Sequence, residues 1–240
     1  MMKKIVFLIP ILILFSCDDN LFNEGEIINQ EVKTGDFHQI EINDIFDVYF
    51  YQGTNNKIIV RGGSNLIPNI KCKVDNGQLT IDDQNTARWS KDYEKIQLHI
   101  TVDSLRLLTL NAPSSIICVD TIKTPELKIF SIADYADISI LISCDNFFLV
   151  NSGTSGGQAT IKGSTYSFGF WARASFQLYA DEFVANKITA KNESIGNCYI
   201  HATEYLSAEI LNSGLIYYKG NPETIEYVNE KARENLIKED

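Results

Sequence analysis

Histidine is scarce in this chain of 240 residues: there are three, and no two of His38, His99 and His201 share the short spacing by which a metal ion is held. The residues therefore predict no metal centre and no cofactor. Basic residues are also few, 21 against 31 acidic ones for a formal charge of −10, which makes nucleic acid a poor partner. The chain lacks a Gly-x-Ser-x-Gly elbow, so that serine-nucleophile arrangement is absent. Its leading apolar run, residues 5–15, is about half the roughly 20 residues that a membrane-spanning helix needs, and Pro10 interrupts it. Between residues 37 and 104 no 3.6-residue apolar stripe occurs, so helix is expected to be scarce.

What the chain does have begins at Cys17, which closes the apolar run and opens an acidic stretch, Asp18-Asp19-Asn20. Lys3 and Lys4 form a positive start and Ser16 is the small residue before the cut, the pattern of a bacterial lipoprotein signal peptide. Residues 1–16 are expected to be removed and Cys17 to become a lipidated N-terminus, carrying palmitate-type chains. One acyl chain binds a bilayer only reversibly, at about 0.8 kcal/mol per buried methylene, so the two or three chains of a lipoprotein cysteine make attachment stable. Removal of the signal takes Lys3 and Lys4 and no acid, leaving 19 basic against 31 acidic residues and a charge of −12. At low ionic strength such a body is repelled by an anionic bilayer, which suits a domain held off it on a tether. Asp18-Asp19 resembles the acidic signal that sends some lipoproteins to the outer face of the outer membrane. Surface display is the expected location, with the periplasmic face as the alternative.

Residues 17–36 are polar with little periodicity and read as that tether. Residues 37–104 then alternate apolar and polar residues in short strand-like segments, such as Phe46-Asp47-Val48-Tyr49-Phe50 and Leu79-Thr80-Ile81, broken by turn chemistry including Asp75-Asn76-Gly77. These N-terminal strands are expected to cap the unit that follows. From residue 105 to 223 the chain repeats every 18 to 21 residues: Leu108-Thr109-Leu110, Leu127-Lys128-Ile129, Phe148-Leu149-Val150, Phe168-Gly169-Phe170, Ile188-Thr189-Ala190 and Leu206-Ser207-Ala208 each lead through a small or polar corner to a second strand. The corners are too short for crossover helices. A single repeat cannot bury its own inward face, but stacked neighbours share a core, which predicts an all-β protein built as a parallel β-solenoid with an N-terminal β-strand cap region. Residues 224–240 form a charged tail, read as a short helix or a frayed end.

Four cysteines follow Cys17: Cys72, Cys118, Cys144 and Cys198. Outside the cytoplasm they could pair, but the repeat scatters them and favours free, buried side chains. Cys118 and Cys198 fall at equivalent places four coils apart, about 19 Å at one strand spacing per coil, well beyond a disulfide's reach of about 7 Å.

The segments Phe37-His38-Gln39-Ile40-Glu41-Ile42, Phe46 to Gly53, Asn76-Gly77-Gln78-Leu79-Thr80-Ile81, the Ser-Gly corner from Asn151 to Gly157 and the closing Gly214-Leu215-Ile216-Tyr217-Tyr218-Lys219-Gly220-Asn221-Pro222 together resemble the putative auto-transporter adhesin, head GIN domain family. The likeness spans Phe37 to Tyr227. It implies a secreted or lipid-anchored β-solenoid with an adhesive role, and it brings no catalytic residues. The corners at 131–137, 172–175 and 191–196 depart from the family's Ser-Gly flavour.

A solenoid can also be a polysaccharide lyase or hydrolase, which needs carboxylates converging from adjacent coils. Asp134 and Asp137 share a corner, but the neighbouring corners offer Ser114, Ser115, Thr154 and Ser155; Asp82 and Asp83 read as solvated turn acids. The better binding candidates are aromatic, because flat apolar faces stack on sugars or partner proteins. Phe168, Phe170 and Phe176 fall on inward positions, which leaves Trp171, Tyr179, Tyr199 and Tyr217 facing out as a candidate surface. The leading expectation is a lipid-anchored, non-enzymatic adhesin or surface-interaction module. Its partners would be the membrane, through the lipid, and a glycan or cell-surface protein. A carbohydrate-binding or polysaccharide-active β-helix protein and a structural envelope component are the alternatives.

Overall fold

The computed structural model describes residues 23–86, 94–152 and 156–239; Cys17, the signal peptide and residues 153–155 of the Ser-Gly corner lie outside the described residues. The first half holds β1 (Ile27–Val32), β2 (Gln39–Ile42), β3 (Asp47–Gln52), β4 (Lys57–Gly63), β5 (Ile70–Asp75), β6 (Gln78–Asp83) and β7 (Gln97–Val102). Next come β8 (Leu107–Leu110), β9 (Ser114–Cys118), β10 (Ile122–Ser131), β11 (Tyr135–Asn151), β12 (Gly156–Ala174), β13 (Gln177–Ser194) and β14 (Cys198–Ile210). The chain ends with β15 (Ile216–Lys219), β16 (Thr224–Tyr227), a short helix α1 (Glu230–Asn235) and β17 (Leu236–Lys238).

The chain is an all-β solenoid of stacked parallel strands. In a first ladder, β2, β8, the end of β10, and the later parts of β11, β12, β13 and β14 lie side by side. A second ladder stacks β3, β9, the starts of β11 to β14, and β15. A shorter third side joins them where the long strands turn two corners, as at Ile122, Ile142, Gly163 and Phe183. Alternation decides which side chains enter. The row Ile40, Leu108, Ile129, Leu149, Phe170 and Ala190 runs down the first ladder and is buried throughout. Val48, Ile116, Ile138, Ala159, Leu178 and Cys198 do the same in the second. Between them Phe168 packs on Phe147 at 5.3 Å and meets Phe183 edge-on at 5.4 Å; a fully buried phenylalanine contributes about 1.5–3 kcal/mol.

The corners are buried yet polar, so their backbone groups need internal partners. Asn192 supplies several: its amide N–H donates to the carbonyls of Gly196 and Leu215, and its Oδ1 accepts from the Ser194 amide. The Ser194 hydroxyl donates to Ala174 and Phe176 carbonyls on the coil before. Gly163 turns another corner at φ +117°, where a Cβ would stand 2.0 Å from the Ile142 carbonyl oxygen.

Several expectations are corrected. The N-terminal strands do more than cap: β2 and β3 form a coil of the solenoid, with β8 and β9 on one side and β6 and β7 on the other. The chain thus runs from an inner coil to the end coil and returns past it. The cap is the smaller set β1, β4 and β5, added antiparallel. The tether reading over residues 17–36 gives way at Ile27–Val32, which forms β1 against β4. Its polar side chains hid it, and four of its six residues are exposed, on both faces. The charged tail likewise closes the solenoid, since β16 and β17 pair in parallel with β14 and β15. Asn229 caps α1 by accepting from the Ala232 amide at 2.9 Å, and Ala232 and Leu236 are buried.

The register also moves two residues. Phe148 faces out while Phe147 and Leu149 face in, because a one-residue slip exchanges the faces of a strand. Cys198 aligns with Ile116, two residues from the place expected opposite Cys118. All four described cysteines are free. Burial pushes the thiols of Cys72 to about 11 and Cys118 to about 12, and raises those of Cys144 and Cys198 as well. They are packing residues, not nucleophiles. The hairpin at Asn76-Gly77 is as expected, with φ of +49° and +78° joining β5 to β6.

Candidate binding face

Outward positions of the second ladder carry an aromatic row built by register alone. Tyr179, Tyr199 and Tyr217 occupy matching places on β13, β14 and β15. Neighbouring strands lie about 4.8 Å apart, so identical side chains at one register position must stack. The rings of Tyr179 and Tyr199 are 5.5 Å apart and 7° from parallel, and those of Tyr199 and Tyr217 are 4.9 Å apart and 8° from parallel. Thr160 stands before the stack and Ile237 after it. The Tyr179 hydroxyl donates to Gln177 Oε1.

Stacking changes what the row offers. Both faces of Tyr199 are covered by its neighbours, so the available chemistry is a line of ring edges and hydroxyls, each a donor and an acceptor. All three rings are half-buried against the sheet.

Trp171 is not part of this row. It lies on β12 in the first ladder, in register with Val150 and Lys191. Its indole N–H donates to Glu193 Oε2 at 3.0 Å, and the Arg173 guanidinium and Lys191 ammonium sit 4.6 and 4.8 Å from its ring centroid. Arg173 also pairs with Glu193 at 3.3 Å and Lys191 with Glu209 at 3.0 Å. The indole's π system is already engaged by cations, so the structure unites three of the four expected aromatics and gives the fourth to a surface polar network.

A second aromatic group, missed in the sequence, lies on the second ladder at its capped end. Tyr49 on β3 stacks on His99 of β7 at 4.9 Å and 11°, and Tyr51 Oη bonds His99 Nδ1 at 3.0 Å. Burial first, then the charge of Arg61, holds the His99 ring below the usual histidine range. Val48 and Phe50 point inward, so alternation alone placed Tyr49 and Tyr51 outside; their pairing with His99 crosses some fifty residues of chain and was not visible. Phe148 is likewise exposed, with Phe130 edge-on at 6.5 Å.

The carboxylates stay dispersed. Asp137 matches Ser115 and Gln158 on adjacent coils and accepts from the Gln158 amide at 3.3 Å. Asp82 accepts from Asn43, and Asp83 from Asn85, in the turn that ends β6. His38, His99 and His201 are partly exposed strand-region residues. Among the described residues no group of His, Cys, Asp and Glu could hold a metal ion, and no helix is long and apolar enough to cross a membrane.

Parallel strands stacked coil on coil, with aromatic rows on an outer ladder, place the chain in the class of β-solenoids. Within that class, the chain belongs to the putative auto-transporter adhesin, head GIN domain family, whose model matches residues 36–222. Solved structures with this fold include a putative adhesin from Bacteroides fragilis, with a TM-score of 0.73 at 18% identity over 89% of this chain and 94% of that one. A putative lipid binding protein from Parabacteroides distasonis has a TM-score of 0.61 at 18% identity, over 90% and 98%. A putative adhesin from Parabacteroides merdae has 0.58 at 17%, over 89% and 94%. No curated protein matches the chain. The family's name is that of an adhesin.

Proposed function

We propose that the protein is a non-enzymatic adhesin or surface-interaction module, anchored by a lipidated Cys17 in the outer membrane, displayed outward, and binding a glycan or cell-surface protein along its second ladder. The observation that carries this reading is the in-register stack of Tyr179, Tyr199 and Tyr217 on an outer face. A fold that needs only inward residues for its core has placed three half-exposed tyrosines in a line, where a long partner could meet them together. The family's adhesin naming supports the same reading.

The triple substitution Tyr179→Phe, Tyr199→Phe and Tyr217→Phe keeps the stack and removes the hydroxyls. It is expected to leave the unfolding midpoint unchanged and to weaken retention of whole cells on glycan or host-cell surfaces. Unchanged retention, in this variant and in the triple alanine variant, would remove the tyrosine row from the binding face. Protease shaving of intact cells checks display, and loss of fatty-acid label in Cys17→Ala checks the anchor.

A further inference from the structure

The capped end of the second ladder holds a built groove of about 470 Å³, formed where β1, β4, β7 and β3 lie side by side. Its floor is Ile59, which stands in register with His99 on one side and Glu31 on the other. Arg61 and Lys57 flank Ile59 along β4, Asn29 reaches in from β1, and Tyr51 and His99 close the far side.

The ring of His99 has one face on Tyr49, on the side away from Ile59, so its other face looks over the floor as a flat wall. A hydrogen-bonded chain holds it there. Tyr51 Oη bonds Nδ1 at 3.0 Å, and Nε2 lies 3.4 Å from Gln97 Oε1. The same oxygen accepts from Arg61 Nη1 at 3.3 Å, which leaves other guanidinium donors free to turn toward the groove. Among the described residues no carboxylate lies within ion-pair distance of Arg61, whereas Lys57 is paired with Glu31 at 3.0 Å. Among the described residues that leaves a guanidinium uncompensated beside an imidazole face, in a chain of net charge −10.

We infer that this groove binds the carboxylate-bearing ring of an acidic saccharide, its apolar face on Ile59 and His99 and its carboxylate on Arg61. A neutral sugar would leave the arginine unused, and a bare phosphate would leave the wall unused. Arg61 meets a carboxylate with two parallel N–H donors, and the amide of Asn29 serves ring hydroxyls. The inference rests on the reading of the protein as a surface-interaction module and names the ligand class for one end of the same face.

The test titrates the full chain in detergent with 3′-sialyllactose and digalacturonic acid, against lactose as the neutral probe and inorganic phosphate as the bare anion. Binding of at least one acidic sugar is expected, with lactose bound about tenfold or more weakly, and with Arg61→Gln and the exposed Asn29→Asp each weakening acidic-sugar binding by about tenfold or more, the loss expected for a charge-assisted pair. Asn29 is exposed on β1, so Asn29→Asp guards against a folding defect in the arginine variant. No acidic-sugar binding, equal binding of lactose, full competition by equimolar phosphate, or unaltered affinity in both variants would overturn the inference. Whole cells separate it from the broader reading: adhesion that survives Arg61→Gln but falls with the tyrosine triple variant sinks the groove alone, and adhesion indifferent to both sinks the binding face.

Discussion

The backbone N–H of Lys123 donates to Gln52 Oε1 at 2.8 Å across 71 residues of sequence. The other end of the same side chain donates to the carbonyls of Asp103 at 2.9 Å and Val102 at 3.3 Å. Gln52 lies on the coil of β2 and β3, Val102 ends the outer coil, and Lys123 belongs to the coil on the opposite side. One amide therefore clips together three levels that the chain does not visit in order.

Gln52→Ala removes this clip and is expected to lower stability by about 1–2 kcal/mol, because part of the loss is recovered by water at this partly exposed edge. Gln52→Glu should do no better, since a carboxylate can accept from Lys123 but cannot donate to Val102 or Asp103. Denaturant midpoints of the two variants check this, and wild-type behaviour in both would show the clip to be dispensable.

Gly163→Ala and Gly169→Ala test two different demands on glycine. At Gly163 the backbone has φ +117° and the new Cβ would stand 2.0 Å from the Ile142 carbonyl oxygen, so main chain must shift. A loss of about 2 kcal/mol or more is expected. At Gly169 the obstacle is the ring of Phe148, 2.6 Å away, which is 38% exposed and can turn aside. Thermal unfolding should therefore separate the two, and equal losses would contradict the distinction.

Lys219 Nζ bonds Asp181 Oδ2 at 2.9 Å, and this bond, against some burial, holds the Asp181 carboxyl below the usual aspartate range. Because the folded value lies below the unfolded one, the pair's contribution is complete above the ordinary aspartate pKa of about 3.9 and is lost as pH falls through the folded value. The stability gap between the native chain and Lys219→Met should be constant from about pH 8 to pH 5 and shrink below about pH 4. It should also be small, since both side chains are about a third exposed. A gap that widens on acidification would reverse the assignment.

Most of the repeat was legible from alternation, because stacked coils bury one face and wet the other over many residues. Phe168, Phe170 and Phe176 accordingly lie in the core, and Tyr179, Tyr199 and Tyr217 take the alternate, half-buried positions of their strands. Phe148 faces out against its apolar character because four apolar residues in a row, Phe147-Phe148-Leu149-Val150, satisfy either register, and only the neighbouring coils choose between them. β1 and β16 were missed because strands at the two ends of a solenoid bury little and show weak alternation. The Tyr49, Tyr51 and His99 group was hidden for another reason, since a pair made by stacking distant segments leaves no local pattern.

By itself the sequence determined which side of each strand faces the core and that successive twenty-residue turns share one interior, since both follow from the spacing of apolar residues along a single stretch of chain. The tertiary structure alone decided which outward residues become neighbours. It put three tyrosines into one stack, drew Trp171 into a network of charges, and set the outermost coil out of chain order, because lateral adjacency is fixed by hydrogen-bond register between strands that the linear order does not encode.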